Sequence, residues 1–428
     1  MRGLVWFRND LRLHDNEALY QATETCDELL CVYCIDTREF AHIPYGFTKM
    51  GPYRLQFLLE TLEYLKTSLQ SIGGDLLVYT ENPEQALPQL LAAYNIEHLF
   101  FQHQVGTEEA AIETKIADYC RVHNIQTSIN NGATLFHVDD IPFKLTSLPN
   151  IFTDFRKATE KNSTVRSLFP APTAVVSITT AEPNTIPTST ELGFKIPEPD
   201  PRAAMRFKGG EGEASKRLQH YFWETEALKT YKETRNELLG ANYSSKFSAW
   251  LSLGCISPRT IYWEIKKFEQ DVVANSSTYW LIFELIWRDY FYFVAMKYGK
   301  LLFRKGGIKQ KPLYCISNEA MFENWRIGNT GIAFIDANMR ELLHTGFMSN
   351  RGRQNVASYL VKDLKLDWRM GAAWFEHCLV DYDLASNYGN WNYAAGIGND
   401  PREDRYFNIP TQVAKYDPEG KYVRHWLG

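Results

Sequence analysis

Cysteine is scarce in this sequence, and its spacing excludes a disulfide framework. The chain has 7 cysteines in 428 residues, an odd number without regular pairing, which indicates a reducing compartment. Cys31 and Cys34 have the spacing of a redox or zinc pair, but they lie in the apolar run 29–35, and neither a second cysteine pair nor a histidine pair accompanies them. We therefore interpret both as core residues of a buried strand.

The sequence also has no segment that directs a protein to or through a membrane. The first ten residues have the pattern of a strand and a loop, without the apolar core of a signal peptide or the composition of a transit segment, and no apolar run is long enough to span a bilayer. We expect a cytoplasmic monomer without a membrane partner. The net charge of −5 argues against indiscriminate coating of nucleic acid, so any such contact must use a local basic surface.

No glycine-rich dinucleotide fingerprint follows the first predicted strand, where residues 8–15 stand instead. Short apolar runs at 4–7, 29–35, 76–79, 99–102 and 125–129 alternate with helix-patterned segments at about 49–72, 83–95 and 107–123. This alternation predicts an N-terminal α/β domain over residues 1–130, built as a doubly wound parallel sheet.

The composition changes twice after that domain. Seven of the 18 prolines lie between Pro170 and Pro201, in a stretch without periodicity, and we predict an interdomain linker over residues 131–204. Ten of the 11 tryptophans lie at or after Trp223, where Glu, Lys, Leu and aromatic residues recur at helical spacing. We therefore predict a large all-α domain over residues 205–428.

The predicted all-α domain contains charges and amides at positions that are patterned as buried helix. They concentrate in residues 351–368 and 381–391. Burying unpaired polar groups costs several kcal/mol, so this pattern favours a polar, planar ligand inside the helices, and a flavin fits that description. Alternatively, Asp381 and Asp383 cap a helix or pair with an arginine such as Arg353.

Three hydroxyls and a cation precede the predicted helical run 249–253. The segment reads Ser244, Ser245, Lys246, Phe247 and Ser248. Hydroxyls, backbone donors and the start of a helix suit a phosphate group. Serine clusters are, however, usually plain helix caps, so both interpretations stay open here.

A second candidate site lies in the apolar helix predicted over residues 279–296. Glu284 and Arg288 are four residues apart, which is typical of an ordinary ion pair within a helix. With Trp287 beside them, they could instead present a stacking surface and a carboxyl group to an extruded base. Six cations without an intervening acid follow at positions 297, 300, 304, 305, 309 and 311, either as a solvated surface or as contacts to a phosphate backbone.

Several long, ordered motifs of this chain resemble the photolyase/cryptochrome family, and within it the DASH-type cryptochromes. They are residues 4–16, 284–289, 336–342, 345–353, 381–391 and 398–407, of which the last is especially similar to the DASH branch. The resemblance covers nearly the whole chain.

The resemblance implies a U-shaped FAD buried in the all-α domain, which would then be an FAD-binding domain. Near the phosphates it places Tyr231, Ser244, Ser245, Lys246, Phe247 and Ser248, and around the isoalloxazine it places Arg353, Asp381, Tyr382 and Asp383. Asn387 would face the redox-active nitrogen of the central ring, where an amide can donate or accept a hydrogen bond as the flavin changes state.

The same resemblance implies a chain of tryptophans that supplies electrons to the excited oxidised flavin. Trp391 would be next to the flavin and Trp368 would be the middle member. The outer member should fall near position 315, where this sequence has Cys315. This departure predicts slower photoreduction or a detour through Tyr314 or Trp325.

The activity implied by the resemblance is that of a deoxyribodipyrimidine photo-lyase, a light-driven enzyme that splits cyclobutane pyrimidine dimers flipped out of DNA. The implied base contacts are Glu284, Trp287, Arg288, Asn350, Arg351, Gln354, Asn392 and Tyr393, and the implied catalytic set is Glu284, Asn387, Trp391 and Trp368. The competing interpretation is a blue-light photoreceptor that binds FAD and DNA or a protein without repair.

Two of these positions depart from relatives that repair duplex DNA. Gln354 stands where they have a methionine, and Tyr393 where they have a tryptophan. The weaker stacking, on the order of 1–3 kcal/mol per base, predicts a preference for pyrimidine dimers in single-stranded DNA.

Family members often hold an antenna pigment between their two domains. In the DASH branch it is commonly 5,10-methenyltetrahydrofolate, and Glu108 is our candidate contact for it. A glutamate at a helix start is otherwise a favourable first-turn acid. We predict no metal site.

Overall fold

Five parallel strands form the sheet that the alternating pattern predicts. Their bounds in the computed structural model are β1 Arg2–Phe7, β2 Glu28–Cys34, β3 Leu76–Tyr79, β4 His98–Gln102 and β5 Gln126–Asn130, and their order is β3-β2-β1-β4-β5. The order runs outward from β1 in both directions, so the sheet is doubly wound and the predicted fold class is confirmed.

The structure describes residues 1–180, 184–402 and 405–428. Residues 181–183 of the predicted linker therefore lie outside the described residues. Glu403 and Asp404, which belong to the DASH-like run 398–407, lie outside them as well.

Helices cover both faces of the sheet, and their bounds are α1 Glu17–Thr25, α2 Pro52–Ser71, α3 Pro83–Ala93 and α4 Thr107–Val122. Leu4 and Val5 point to opposite faces of β1 and belong to different core clusters, yet both are fully buried. Because both faces of the sheet are buried, the strands are continuous apolar runs rather than alternating apolar and polar residues. Cys31 and Cys34 are buried in β2, in agreement with the core interpretation.

Residues after β5 include a helix of their own, α5 Phe152–Asn162, which packs against the helical part of the chain. Further on, the segment around residues 175–178 contacts the sheet, since the Leu29 amide donates to the Val176 carbonyl oxygen at 2.8 Å.

The remainder of the chain is helical. Its helices are α6 Glu211–Gln219, α7 Tyr231–Thr234, α8 Ser248–Ser252, α9 Pro258–Asp271, α10 Ser276–Tyr298, α11 Glu319–Ile327, α12 Ala333–Thr345, α13 Asn350–Ser358, α14 Trp368–Cys378, α15 Leu384–Ala394, α16 Ile409–Tyr416 and α17 Lys421–Leu427. The 23-residue α10 begins with a capping box between Asn275 and Thr278. It packs against α5, α7, α9 and α15, which makes it the centre of this part.

A buried ion pair joins the sheet to the helices. Arg259 at the start of α9 donates two hydrogen bonds to the Asp15 carboxylate, at 2.8 and 3.0 Å, and both side chains are almost fully buried. Bidentate geometry fixes orientation as well as distance. Within the described ranges, no helix is both long enough and apolar enough to cross a bilayer.

Candidate functional site

A buried acid and an arginine lie at the centre of the helical part. Arg353 on α13 donates through Nη2 to Oδ2 of Asp381 at 2.9 Å, and Asp381 is only 6% exposed. The other oxygen, Oδ1, is buried without a hydrogen-bond partner among the described residues. Because buried polar atoms are almost always satisfied, Oδ1 is positioned to accept from a ligand.

The start of α15 lies directly after this acid. Asp383 caps the helix, since its Oδ1 accepts from the Ser386 amide at 2.7 Å. Asn387 lies one turn further on, is 8% exposed, and donates through Nδ2 to the carbonyl oxygen of Ala372 at 3.1 Å. Asp381 therefore pairs with an arginine, whereas Asp383 both caps the helix and pairs with Arg288, whose Nη2 lies 3.6 Å from Asp383 Oδ2.

The predicted phosphate segment is held in place by an arginine that the sequence did not single out. Arg217 on α6 donates to the carbonyl oxygens of Ser245 at 2.9 Å and of Ser244 and Ala241 at 3.0 Å. Of the remaining predicted residues, Phe247 is buried in the core and Ser248 begins the single turn of α8. Tyr231 is buried at the start of α7.

Lys246 is a buried cation in this segment. It is 3% exposed, adopts a left-handed backbone with φ of 57°, and donates to the Gly240 carbonyl oxygen at 3.3 Å. Burial lowers the pKa of Lys246 to about 7. A buried ammonium without a carboxylate bonded to it is matched by an anionic phosphate.

A second buried acid faces the same region. Glu341 on α12 is 2% exposed and accepts from the Tyr422 hydroxyl of α17 at 2.6 Å. Burial raises the pKa of Glu341 to about 7, while the Tyr422 hydrogen bond and the nearby cations Lys246 and Arg353 oppose that rise. The C-terminal helix therefore contributes a hydrogen bond to the layer around Lys246 and Arg353.

These residues fit FAD at both of its polar ends. At one end Asp381 offers an unused carboxylate oxygen beside Arg353, and at the other Lys246 offers a buried amino group that is bonded to the Gly240 carbonyl oxygen and to no carboxylate among the described residues. The hydroxyl of Tyr243, between the two, is also buried without a partner among the described residues. Unsatisfied groups of this kind are expected where a polar ligand binds.

Glu284 is the acid of the predicted base pocket, and its partners differ from those expected. The ion pair predicted within the helix, with Arg288, is not formed. Instead, Glu284 Oε1 accepts from Arg235 Nη1 at 2.7 Å and from Trp280 Nε1 at 3.1 Å. Arg288 bonds to the carbonyl oxygens of Ala133 and Leu251, so its guanidinium faces away from Glu284.

Other predicted base contacts lie near Glu284 at the start of α13. Asn350 is exposed, and Arg351 donates to Gln354 at 2.7 Å and to Asn236 Oδ1 at 2.9 Å. Arg351 also lies close enough to Arg235 for each charge to affect the other. Arg353 of α13 thus binds the buried Asp381, and Arg351 of the same helix lies near Arg235, the partner of Glu284.

The rings of Trp287 and Tyr393 lie in an edge-to-face arrangement, with centroids 6.3 Å apart. The indole of Trp287 also stacks on Phe152 at 3.6 Å. Only the opposite face of the Trp287 indole is left to stack on a base. The aromatic surface available to a base is therefore smaller than the sequence suggested.

Asn392 was predicted to contact a base, and its position in the structure corrects that prediction. It is 1% exposed, and its amide donates to the carbonyl oxygens of Leu302 and Tyr388, each at 2.9 Å. Both amide hydrogens are therefore used inside the protein, and Asn392 supports the fold rather than DNA.

Arg288 and Tyr382 are placed at a different cavity from the one predicted. A cleft of about 450 Å³ separates the sheet domain from the helices, and both residues line it. Glu108 lies in the same cleft and forms an ion pair with Lys49. The predicted antenna contact therefore does lie at the boundary between the two parts.

The two predicted tryptophans are buried close together. A side chain on Gly371 would collide with the indole of Trp391, and Gly371 lies one turn of α14 after Trp368. Trp391 is 2% exposed and Trp368 is fully buried. Trp325 lies 6.3 Å from Trp391 between ring centroids, whereas Tyr314 is 82% exposed.

Comparison with known proteins shows the family of this chain. Residues 3–174 match the family model of DNA photolyase, and residues 280–428 match that of the FAD binding domain of DNA photolyase. A cryptochrome DASH from Synechocystis sp. is 50% identical, with 99% of this chain and 87% of that protein covered. One from Danio rerio is 49% identical, with 98% and 82% covered. The chain belongs to the photolyase/cryptochrome family, in its DASH branch.

Solved structures of this family have the same fold. A cryptochrome from Synechocystis sp. superposes with a TM-score of 0.97 at 50% identity, covering 100% of this chain and 89% of that one. A bacterial class III photolyase from Agrobacterium tumefaciens superposes with a TM-score of 0.86 at 28% identity, covering 99% and 86%. An archaeal photolyase from Sulfolobus tokodaii gives 0.81 at 28% identity, covering 100% and 90%.

Membership of this photolyase/cryptochrome family makes the chain a flavoprotein with FAD as its cofactor. The sequence does not single out Arg217, Arg235 and Glu341, which orient or face the predicted site residues. Their partners are 28, 49 and 81 residues away along the chain, and no local spacing reports such a contact. Burial of a charge within an apolar pattern is the one signal that could have pointed to Arg217 and Glu341.

Proposed function

We propose that this protein is a light-driven, FAD-dependent lyase that repairs cyclobutane pyrimidine dimers and prefers single-stranded DNA. The observation that carries the proposal is Glu284, a partly buried carboxyl group whose Oε1 is held by Arg235 and Trp280. A sensor without turnover has no use for an oriented acid at that position.

Reduced FAD, when excited by light, would supply the electron that opens the dimer and take it back afterwards. The protein's part is to hold the dimer and steady its negative charge. Burial raises the pKa of Glu284, although Arg235 opposes the rise. A carboxyl group with a raised pKa can share its proton with a pyrimidine carbonyl oxygen as charge develops there.

The preference for single strands rests on the limited stacking surface. One face of Trp287 is covered by Phe152, and Tyr393 is held by Arg405, which donates to its hydroxyl at 2.7 Å. Flipping a base out of a duplex costs a few kcal/mol, which a small platform recovers poorly. The exposed cations Lys300, Arg304, Lys305, Lys309 and Lys311 support backbone contact on either kind of strand.

The test uses chemically reduced, flavin-loaded protein and oligonucleotides that carry one dimer, single- and double-stranded in parallel. Light should restore the thymines, and the repair rate should be higher on the single-stranded oligonucleotide than on the double-stranded one. Glu284→Gln should lower the repair rate by about 10-fold or more with the flavin retained. Glu224→Gln, an exposed acid, is the matched control. Repair of neither substrate would point to the photoreceptor instead, and equal rates in the two variants would remove Glu284 from the reaction.

We also propose that the interdomain cleft binds an antenna pigment, 5,10-methenyltetrahydrofolate. Its volume, the aromatic ring of Trp6 and the pair Glu108 with Lys49 suit a flat, polar heterocycle. The Sulfolobus tokodaii structure contains two FAD molecules and implicates a novel light-harvesting cofactor, so a second flavin is the alternative. Chromatography of the pigments released from purified protein distinguishes the two, and Glu108→Gln should reduce the second pigment but not the first FAD.

We propose a monomer that acts in the cytoplasm. Sedimentation analysis tests whether the protein is a monomer, and fractionation of cells tests whether it is in the cytoplasm. The cryptochrome DASH relatives from Oryza sativa, Solanum lycopersicum and Arabidopsis thaliana are chloroplastic or mitochondrial.

A further inference from the structure

The electron supply to the flavin lacks an aromatic residue at its expected outer position. Because Trp391 and Trp368 are both buried, charge separation between a bound flavin and an oxidised Trp368 would persist only if a second donor reduced that indole. Cys315 offers no ring for this purpose. The donor must therefore be another side chain in contact with Trp368.

Tyr388 makes that contact. Its ring centroid is 6.2 Å from that of Trp368, in an edge-to-face arrangement. Trp368 is fixed in this position because its indole donates through Nε1 to the Lys305 carbonyl oxygen at 3.0 Å. Phe303 supports the Tyr388 ring from another direction at 4.7 Å.

A proton acceptor is bonded to Tyr388. The phenol donates to Oε2 of Glu376 at 3.0 Å. Arg54 and Lys49 lie near Glu376 and favour its ionised form, while burial and Glu39 raise its pKa. A carboxylate with a raised pKa is a stronger base than an exposed one, which suits it to receive a phenol proton. Both residues line the interdomain cleft, so the proton can be passed on to water.

We propose that Tyr388 is the terminal electron donor of this protein and that Glu376 is its proton acceptor. Bound FAD, excited in its oxidised form, would supply the oxidant, and loss of one electron from the tryptophan pair to it would leave the Trp368 indole as a radical cation. Tyr388 gives one electron to that indole and its phenol proton to the Glu376 carboxylate. The products are an intact Trp368, a neutral tyrosyl radical and a protonated Glu376, so charge and electrons balance. The inference rests on the proposed light chemistry of the flavin.

Trp325 is a weaker terminal donor, although it touches Trp391. It is fully buried, and its indole donates to the Val356 carbonyl oxygen at 3.1 Å. A peptide carbonyl does not keep a proton, so an oxidised Trp325 would stay charged inside the core. Tyr314 is 82% exposed, and no ring contact joins it to the tryptophans within the described residues.

The test is time-resolved absorption and electron paramagnetic resonance of the oxidised, flavin-loaded protein after a light pulse. The wild type should show a tyrosyl radical that follows a tryptophyl radical, and deuterium oxide should slow its formation. Tyr388→Phe should lose the tyrosyl signal, and Trp325→Phe should keep it. Glu376→Gln should slow tyrosyl formation while leaving the tryptophyl radical. The absorption spectrum of bound flavin shows whether each variant is folded.

A tyrosyl radical of unchanged yield in Tyr388→Phe overturns the inference, and so does its loss in Trp325→Phe. Failure of the proposed function is detected separately. Wild-type protein reduced with dithionite needs no internal electron donor, so its repair of a dimer-bearing single strand tests the lyase activity alone.

Discussion

At the residue scale, the candidate site depends on two buried titratable groups with opposite charge. Lys246 and Glu341 both have a pKa of about 7, the first lowered and the second raised by burial. Neither group is satisfied by a full ion pair, which is what a site prepared for a charged ligand requires. The role of each group can be tested with a substitution that removes the charge and keeps the approximate size of the side chain.

Lys246→Met should weaken FAD binding by roughly 10- to 100-fold, because a hydrogen bond from a charged group is worth about 1.5–3 kcal/mol. Fluorescence titration of flavin-free protein measures the affinity. Lys216→Met removes an exposed cation of the neighbouring helix α6 and is the control. Equal affinity in both variants would show that Lys246 does not meet the phosphates.

The raised pKa of Glu341 predicts that the stability of the protein depends on pH. The pKa of Glu341 is raised from an ordinary 4.5 to about 7, so between these values the native protein binds more protons than the unfolded chain. The contribution of Glu341 to the unfolding free energy is complete below pH 4.5 and is lost as the pH rises through 7. Glu341→Gln should reduce the fall in unfolding free energy over this window by up to about 1.4 kcal/mol per pH unit.

Denaturant titrations from pH 5 to 8 measure that slope. Asp289 and Glu109 also have a pKa raised to about 7 by burial, so the variant should remove part of the slope and not all of it. An unchanged slope in Glu341→Gln would mean that Glu341 is ionised throughout.

At the element scale, the sequence predicted regular structure well and contacts poorly. The five strands and the long helix α10 were placed within a few residues, because apolar periodicity is a local property. Asp381 and Arg353 were also paired correctly as an alternative. The ion pair between Glu284 and Arg288, which was one of two alternatives, does not form, because the fold brings Arg235 to Glu284 from 49 residues away.

The helix α17 should stabilise the protein through the Tyr422 hydroxyl, which lies 2.6 Å from Oε2 of Glu341 and 3.1 Å from Oδ1 of Asn338. Tyr422→Phe removes the only donor on that helix that reaches Glu341 among the described residues, and it should lower the unfolding free energy by about 1–3 kcal/mol. Tyr406→Phe removes a similar bond from an exposed phenol to Asp363 and should change it by less than about 0.5 kcal/mol. Urea unfolding compares them, and equal losses would contradict the assigned role of α17.

At the scale of the whole molecule, the sheet domain and the helices act as one unit because charged contacts between them are buried. Asp15 and Arg259 form the most enclosed of these. The same boundary contains the cleft with Glu108 and Tyr388, so its geometry affects both the proposed antenna and the proposed electron donor.

Arg259→Met leaves the Asp15 charge buried and should lower the unfolding free energy by about 3–5 kcal/mol. Adding Asp15→Asn should restore part of that loss, because the uncompensated charge is removed. A double-mutant cycle in urea measures the coupling. Strictly additive losses would show that the pair does not join the two parts.

FAD should occupy the polar interior of the helical domain. A crystal structure of the purified, yellow protein tests this placement. We predict one FAD whose isoalloxazine meets Oδ1 of Asp381 and whose phosphates meet Lys246. A flavin bound only in the interdomain cleft, or helices closed around an interior without flavin, would contradict the account.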